Sequence, residues 1–314
     1  MKRGRIAEML GIQYPIFQGG MAWIADAQLA AAVSNAGGLG IIAAGNADGN
    51  YVREQIRKAK ELTDKPFGLN IMLLSPFADE IAQIVVDEGV KVVTTGAGNP
   101  AKYMKLWKEA DVKVIPVVPS ITLAKLAARN GAFAVIAEGG ESGGHIGELT
   151  TMALVPQVCD AIDLPVIAAG GIADGRGVAA AFALGAEAVQ VGTRFLSATE
   201  CNVHENYKAK VFKAGDTATI VTGRRLGHPV RSIRNQFARE YSKIEYTDIS
   251  DDELENFAAG RLRVAVVEGD EKQGCFLAGQ IAGLVTKEET CKEIIDDMMQ
   301  DADRILGELK KWEK

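Results

Sequence analysis

The segment Glu138 to Gly147 reads EGGESGGHIG and holds five glycines, two glutamates and one of only three histidines in the chain. Imidazole titrates nearest neutrality, so it can move a proton or donate a hydrogen bond to an oxygen that gains charge during reaction. Glycine has no Cβ and lets backbone N–H groups approach a ligand, at an entropic cost on ordering that a bound group must offset. A histidine in such a loop has no evident packing role, so a functional reading of His145 outweighs a structural one. His204 and His228 fall in a polar stretch and are assigned no chemistry.

Other candidates sit where short apolar runs end. Gly170-Gly171 and Gly192-Thr193 close the seventh and eighth runs. Exposed N–H groups there suit a phosphate, although glycine also makes tight turns. Asn70 lies inside an apolar run, where an unpaired amide is costly, so it should bond a neighbour or a ligand. Glu138 ends the sixth run, where its carboxylate suits the N–H or hydroxyl groups of a cofactor, a salt bridge or a helix end. Met21, in the ending Gly19-Gly20-Met21-Ala22, offers a soft surface under an aromatic ring or simply fills core.

Eight runs must position these residues: 14–20, 39–45, 67–73, 90–96, 112–118, 133–139, 164–171 and 188–196. Most lack polar alternation, as parallel strands covered on both faces do, and stretches such as VREQIRKAKELT and ITLAKLAARNG between them suit helices. Eight βα units predict a (β/α)8 TIM barrel, whose active site forms at the C-terminal strand ends. A doubly wound open sheet is the rival, disfavoured because no first βα turn carries a GxGxxG fingerprint. The barrel is expected to comprise residues 1–198 plus about 263–314, with a small helical lid domain inserted at about 199–262. A last amphipathic helix is predicted from Thr286, with Glu289 completing a capping box and Ile294, Ile295, Met298, Met299, Ile305, Leu306, Leu309 and Trp312 on one stripe.

At 314 residues the chain buries an ample core, and its 47% hydrophobic and 24% charged residues are ordinary globular values. No apolar run approaches the roughly 18 to 20 residues that span a bilayer, and the start MKRGRIAEML lacks a signal-peptide pattern, so a cytoplasmic protein with no membrane partner is expected. A net charge of −6 argues against nucleic acid as a general partner. Cys159, Cys201, Cys275 and Cys291 are too scattered for a zinc or dithiol site and read as buried free thiols. Five arginines between Arg224 and Arg239, with no acid among them, are either a solvated face or a docking surface for an acidic or phosphate-bearing partner.

PIFQGGMAWIAD, AGGLGII, TDKPFGLNIMLLSPF, EGVKVVTTGAGNP, AVIAEGGESGGHIG, LPVIAAGGIADG, EAVQVGTRF and AGQIAGLVTKEET span almost the whole chain. Together they resemble the flavin-dependent enoyl-acyl-carrier-protein reductases II of bacterial fatty-acid synthesis, within the nitronate monooxygenase-like FMN barrels. The resemblance implies non-covalent FMN, with its phosphate at Gly170, Gly171, Gly192 and Thr193 and its ring near Gly20, Met21, Ala22 and Asn70. It places Glu138, Ser142 and Gly143 near the cofactor and the catalytic histidine of a GGHxG motif at His145. It further implies a homodimer, NADH or NADPH as hydride donor, a monovalent cation in some members, and acyl carrier protein bearing an enoyl thioester as partner and substrate.

Two other functions fit the same features. A nitronate monooxygenase would use the same flavin and histidine with oxygen, and a phosphate-ligand binding barrel would turn nothing over. An inosine-monophosphate-dehydrogenase-like chemistry is disfavoured, because the loop after the sixth run has no cysteine nucleophile.

Overall fold

The computed structural model describes residues 4–309. All eight expected runs form strands of one parallel sheet: β1 (Ile16–Gln18), β2 (Gly40–Ala43), β3 (Phe67–Met72), β4 (Val92–Gly96), β5 (Lys113–Val118), β6 (Val135–Glu138), β8 (Val166–Ala169) and β9 (Ala188–Val191). A two-residue strand, β7 (Gly144–His145), lies outside that sheet. The spatial order β1-β9-β8-β6-β5-β4-β3-β2 closes on itself through a parallel bridge between Phe17 and Leu39, giving the (β/α)8 barrel. The open doubly wound sheet is thereby excluded.

The closing seam is sealed by a side chain. Gln18 is fully buried, its Oε1 accepts from Ile41 N at 3.1 Å, and its Nε2 donates to Ile41 O at 3.2 Å. The amide thus mimics a strand residue where the short β1 runs out of backbone. Gln18→Leu is expected to leave both Ile41 groups unpaired and to lower the unfolding free energy in urea by about 1 to 3 kcal/mol. Unchanged stability would mean that the seam is held elsewhere.

Inside the barrel, Phe17, Ile41, Val92, Ile115, Ile136, Ile167 and Ala188 meet Ile6 and Leu10 of the Arg5–Leu10 helix, which plugs the end where the strands begin. Function is therefore left to the opposite end. Cys201 and Cys291 are buried free thiols as expected, whereas Cys159 and Cys275 are only partly covered.

The last helix runs Cys291–Leu309, later than the sequence suggests. Thr286-x-x-Glu289 and Thr290-x-x-Glu293 both carry the capping-box pattern, and the second forms it: Thr290 N and Oγ1 each donate to Glu293 Oε2 at 2.8 Å. Glu289 is taken by the mostly buried Arg194, with which it pairs, and by Lys287 at 2.6 Å. Ile294, Ile295, Met298 and Met299 are buried and Ile305 and Leu306 partly so. Leu309 is exposed, and Trp312 lies outside the described residues.

The segment after the barrel's last strand, expected to be helical, holds helices at Glu205–Phe212, Gln236–Ile244 and Asp251–Ala258. It also contains a hairpin, β10 (Thr219–Thr222) and β11 (Val230–Ile233), paired antiparallel. β11 pairs in turn with β7, setting Val230 opposite His145 and Arg231 opposite Gly144. Among the described residues, no helix is long and apolar enough to cross a membrane.

Candidate functional site

A cavity of about 630 Å3 opens at the C-terminal strand ends, and every residue singled out from the sequence lines it: Gly20, Met21, Ala22, Asn70, Glu138, Ser142, Gly143, His145, Gly170, Gly171, Gly192 and Thr193. Asn70 and Glu138 stand in β3 and β6 themselves, His145 on β7, and the others follow β1, β6, β8 and β9, so closure of the barrel is what assembles them.

One end of the cavity presents backbone N–H groups of a kind that suits an anion. Gly170 and Gly171 have φ of 89° and 73°, successive left-handed conformations that only glycine adopts without strain. Among the described residues, the N–H groups of Gly170, Gly171, Gly192 and Thr193 have no acceptor. The Thr193 hydroxyl is already used, accepting from Gly279 N at 2.8 Å, so its backbone is the part left for a ligand. A Cβ on Gly192 would meet nothing nearer than Met21 Sδ at 3.6 Å. The protein therefore supplies no reason for a glycine there, and space taken by a ligand does.

Other positions are constrained from within. A Cβ on Gly20 would fall 2.3 Å from Asn70 Cβ, and one on Gly143 would fall 2.6 Å from Ala278 C. Asn70 Nδ2 donates to Thr94 Oγ1 at 2.9 Å, which answers half of the question its burial raises. Its Oδ1 has no donor among the described residues. Ser142 Oγ and Gln190 Oε1 are also buried without a partner, on residues that line the cavity. Gln190, inside β9, carries no local sequence signal of such a role, because it stands as one polar residue in an apolar run.

The glycine loop is held from two sides. Glu141 accepts from Thr151 N at 2.9 and 3.0 Å, tying the loop to the first turn of the Thr151–Ala161 helix. Arg231 in β11 donates to Gly140 O through Nε and Nη2 at 3.1 and 2.7 Å, and to Thr219 Oγ1 at 3.1 Å. Of the arginine cluster, Arg231 is thus a staple. Arg225 likewise binds the carbonyls of Glu245, Thr247 and Ile249, and Arg224 pairs with Glu148 at 2.7 Å. These contacts account for three of the five arginines without an external partner.

His145 reaches the cavity on β7, and His228, on the β10–β11 turn, lines it too. Sequence reading passed over His228 because only the hairpin brings it to the mouth. His145 is solvent-accessible at the cavity mouth, and partial desolvation there, followed by the charge of His228, holds the imidazole below its ordinary pKa. The uncharged imidazole, an N–H donor, is thereby favoured. His204 does not line the cavity: its Nδ1 accepts from Asn206 N at 3.1 Å at the start of the Glu205–Phe212 helix.

Removal from water pushes the Glu138 carboxyl up to about 7, offset in part by the Ser142 hydroxyl, which lies near it without a hydrogen bond of normal geometry. The residual exposure of Glu138 is to the cavity. The unfolded chain releases this proton first, so the contribution of Glu138 to stability is complete below pH 4.5 and is lost as pH rises towards about 7. In ligand-free protein, the stability of the wild type relative to Glu138→Gln is expected to fall across that interval. A pH-independent difference would contradict the shift.

The profile of the nitronate monooxygenase family matches residues 3–84 and 76–301. A (3aS,4S,5R,7aS)-5-hydroxy-7a-methyl-1-oxo-octahydro-1H-indene-4-carboxyl-CoA dehydrogenase of Mycobacterium tuberculosis is 34% identical, with 96% of each chain covered. A Staphylococcus aureus protein described as "Probable nitronate monooxygenase" is 32% identical over 97% of this chain and 98% of its own. Among solved structures, FabK from Thermotoga maritima superposes with a TM-score of 0.97 at 51% identity, covering 99% of this chain and 100% of the other. A nitroalkane oxidase from Streptomyces ansochromogenes superposes with a TM-score of 0.87 at 26% identity, covering 96% and 99%.

Proposed function

The chain belongs to the nitronate monooxygenase family, and from that premise we propose that it is an FMN-dependent enoyl-acyl-carrier-protein reductase. It would take hydride from NADH or NADPH and saturate trans-2-enoyl thioesters in the last step of fatty-acid elongation, as a cytoplasmic homodimer. The observation that carries this reading is the match to FabK, an enoyl-acyl-carrier-protein reductase II, at 51% identity along the whole chain, against 32% for the staphylococcal nitronate monooxygenase. That the mycobacterial relative is named for a carboxyl-CoA substrate supports a thioester at this site.

The residues present fit FMN. Four unclaimed N–H donors and the unfilled space at Gly192 suit a phosphate, and the unpaired polar atoms of Asn70, Ser142 and Gln190 suit the edge of a heteroaromatic ring. Met21 offers such a ring its polarisable sulfur. When bound, FMN supplies hydride transfer between a nicotinamide and the β-carbon of an enoyl thioester. Glu138, with its pKa near neutrality, accepts a hydrogen bond from the cofactor's N–H or hydroxyl groups. His145, kept neutral, donates a hydrogen bond to the thioester carbonyl oxygen as negative charge builds there; protonation of the α-carbon by the same side chain would instead draw on its imidazolium form, which returns to neutral imidazole. The 199–262 segment acts as a lid domain whose hairpin fixes the His145 strand.

The second reading is the family's own named activity, oxidation of alkyl nitronates with oxygen, which the staphylococcal relative and the nitroalkane oxidase favour. Side-by-side assays separate the two. The reductase reading expects crotonyl thioester to drive NADH or NADPH oxidation far faster than an alkyl nitronate drives oxygen uptake; the reverse order overturns it.

A further inference from the structure

Opposite the end that presents those N–H groups, the cavity wall changes character. Around the neighbouring strands β3, β4 and β5, the end of β3 and its following loop contribute Met72 and Leu74, the loops after β4 and β5 contribute Ala97 and Pro119, the first turn of the Ile121–Arg129 helix contributes Leu123, and Ile146 joins them from the glycine loop. Leu74 is 64% exposed and Leu123 42%, so two large apolar side chains stand uncovered on the wall of a cavity instead of in the core. Ala97 has φ 53°, and the adjoining Gly98, at φ 149°, would bring a Cβ within 2.8 Å of Leu73 Cβ. The β4 turn is thus folded tightly back beside the leucine-bearing loop. The wall is continuous with the catalytic loop, because a Cβ on Gly147 would fall 2.6 Å from Pro119 Cβ, two residues from His145.

We propose that this wall is the acyl-chain subsite, with Leu74 and Leu123 as its specificity-determining residues. The proposal rests on the reductase reading and names what that reading leaves open, the part of the substrate beyond the reacting carbons. The occupant is an unbranched hydrocarbon chain. A thioester held with its carbonyl at His145 has one arm of carrier and one of alkyl chain, and this wall is the apolar face adjoining that position. An alkyl chain lying on exposed leucines removes both surfaces from water, which tightens binding by up to roughly fourfold for each methylene covered. A short nitronate gains nothing from it.

The test is the chain-length dependence of KM for crotonyl, octenoyl and dodecenoyl thioesters of one carrier, in wild type, Leu74→Ser and Leu123→Ser. Both leucines are exposed, so the variants should fold. The expected result is a KM that falls with chain length in the wild type. In each variant the octenoyl advantage over crotonyl should shrink by about tenfold while the crotonyl constants stay unchanged. Equal effects at all three lengths, or a changed oligomeric state with unchanged chain-length dependence, would assign the leucines elsewhere and overturn the subsite alone. No reduction of crotonyl thioester by the wild type would overturn the reductase reading and the subsite with it.

Discussion

Replacing His145 with alanine is expected to leave the protein yellow and still bleached by its nicotinamide donor, while slowing return of colour with an enoyl thioester by about 10²- to 10⁴-fold. The fold should survive, since the register of β7 against β11 uses backbone only and the imidazole faces the cavity. Reduction by the nicotinamide should survive because it builds no charge on a thioester oxygen for His145 to meet. The thioester step does generate one, and a neutral N–H donor aimed at it lowers the barrier without a charge that the protein must desolvate. His145→Gln, which restores a donor without the proton chemistry, should recover part of the loss if hydrogen bonding dominates. An unchanged rate of colour return in His145→Ala would remove His145 from the reaction.

Gly192→Ala carries the second large effect. A methyl there meets only Met21 Sδ at 3.6 Å, so the ligand-free protein should keep its stability to within about 0.5 kcal/mol. The same methyl enters the space assigned to the cofactor phosphate. Overpacking of about 1 to 3 kcal/mol corresponds to roughly five- to 150-fold weaker FMN retention. Gly20→Ala makes the contrasting control, because a Cβ 2.3 Å from Asn70 Cβ damages the folded protein whether or not a ligand is present. Urea melts of both variants, set beside fluorescence titration with FMN, separate the cases. FMN binding unchanged in Gly192→Ala would place the phosphate elsewhere.

The barrel was legible because its strands are covered on both faces and so appear as apolar runs at regular spacing. The cavity lining was legible for a related reason, since in a barrel the residues that end strands share one rim. What escaped depended on long-range choices. Thr290 rather than Thr286 caps the last helix because Arg194, far away in sequence, takes Glu289. The hairpin at Thr219–Thr222 had a local signal in four β-branched residues, which the surrounding polar sequence masked. Missing it hid His228 and the stapling role of Arg231, because both reach the glycine loop only across β11. Gln18 reads locally as one polar residue in an apolar run, and its task appears only when the first and second strands meet.

If an FMN held at this rim passes electrons from a nicotinamide to an enoyl thioester, the visible spectrum of the purified protein without air will report it. The protein is expected to show a flavin spectrum that NADH or NADPH bleaches and that crotonyl thioester, added next, restores in full. A colourless protein that stays so with added FMN, or a bleached one that recovers only when oxygen or a nitronate is supplied, would contradict it.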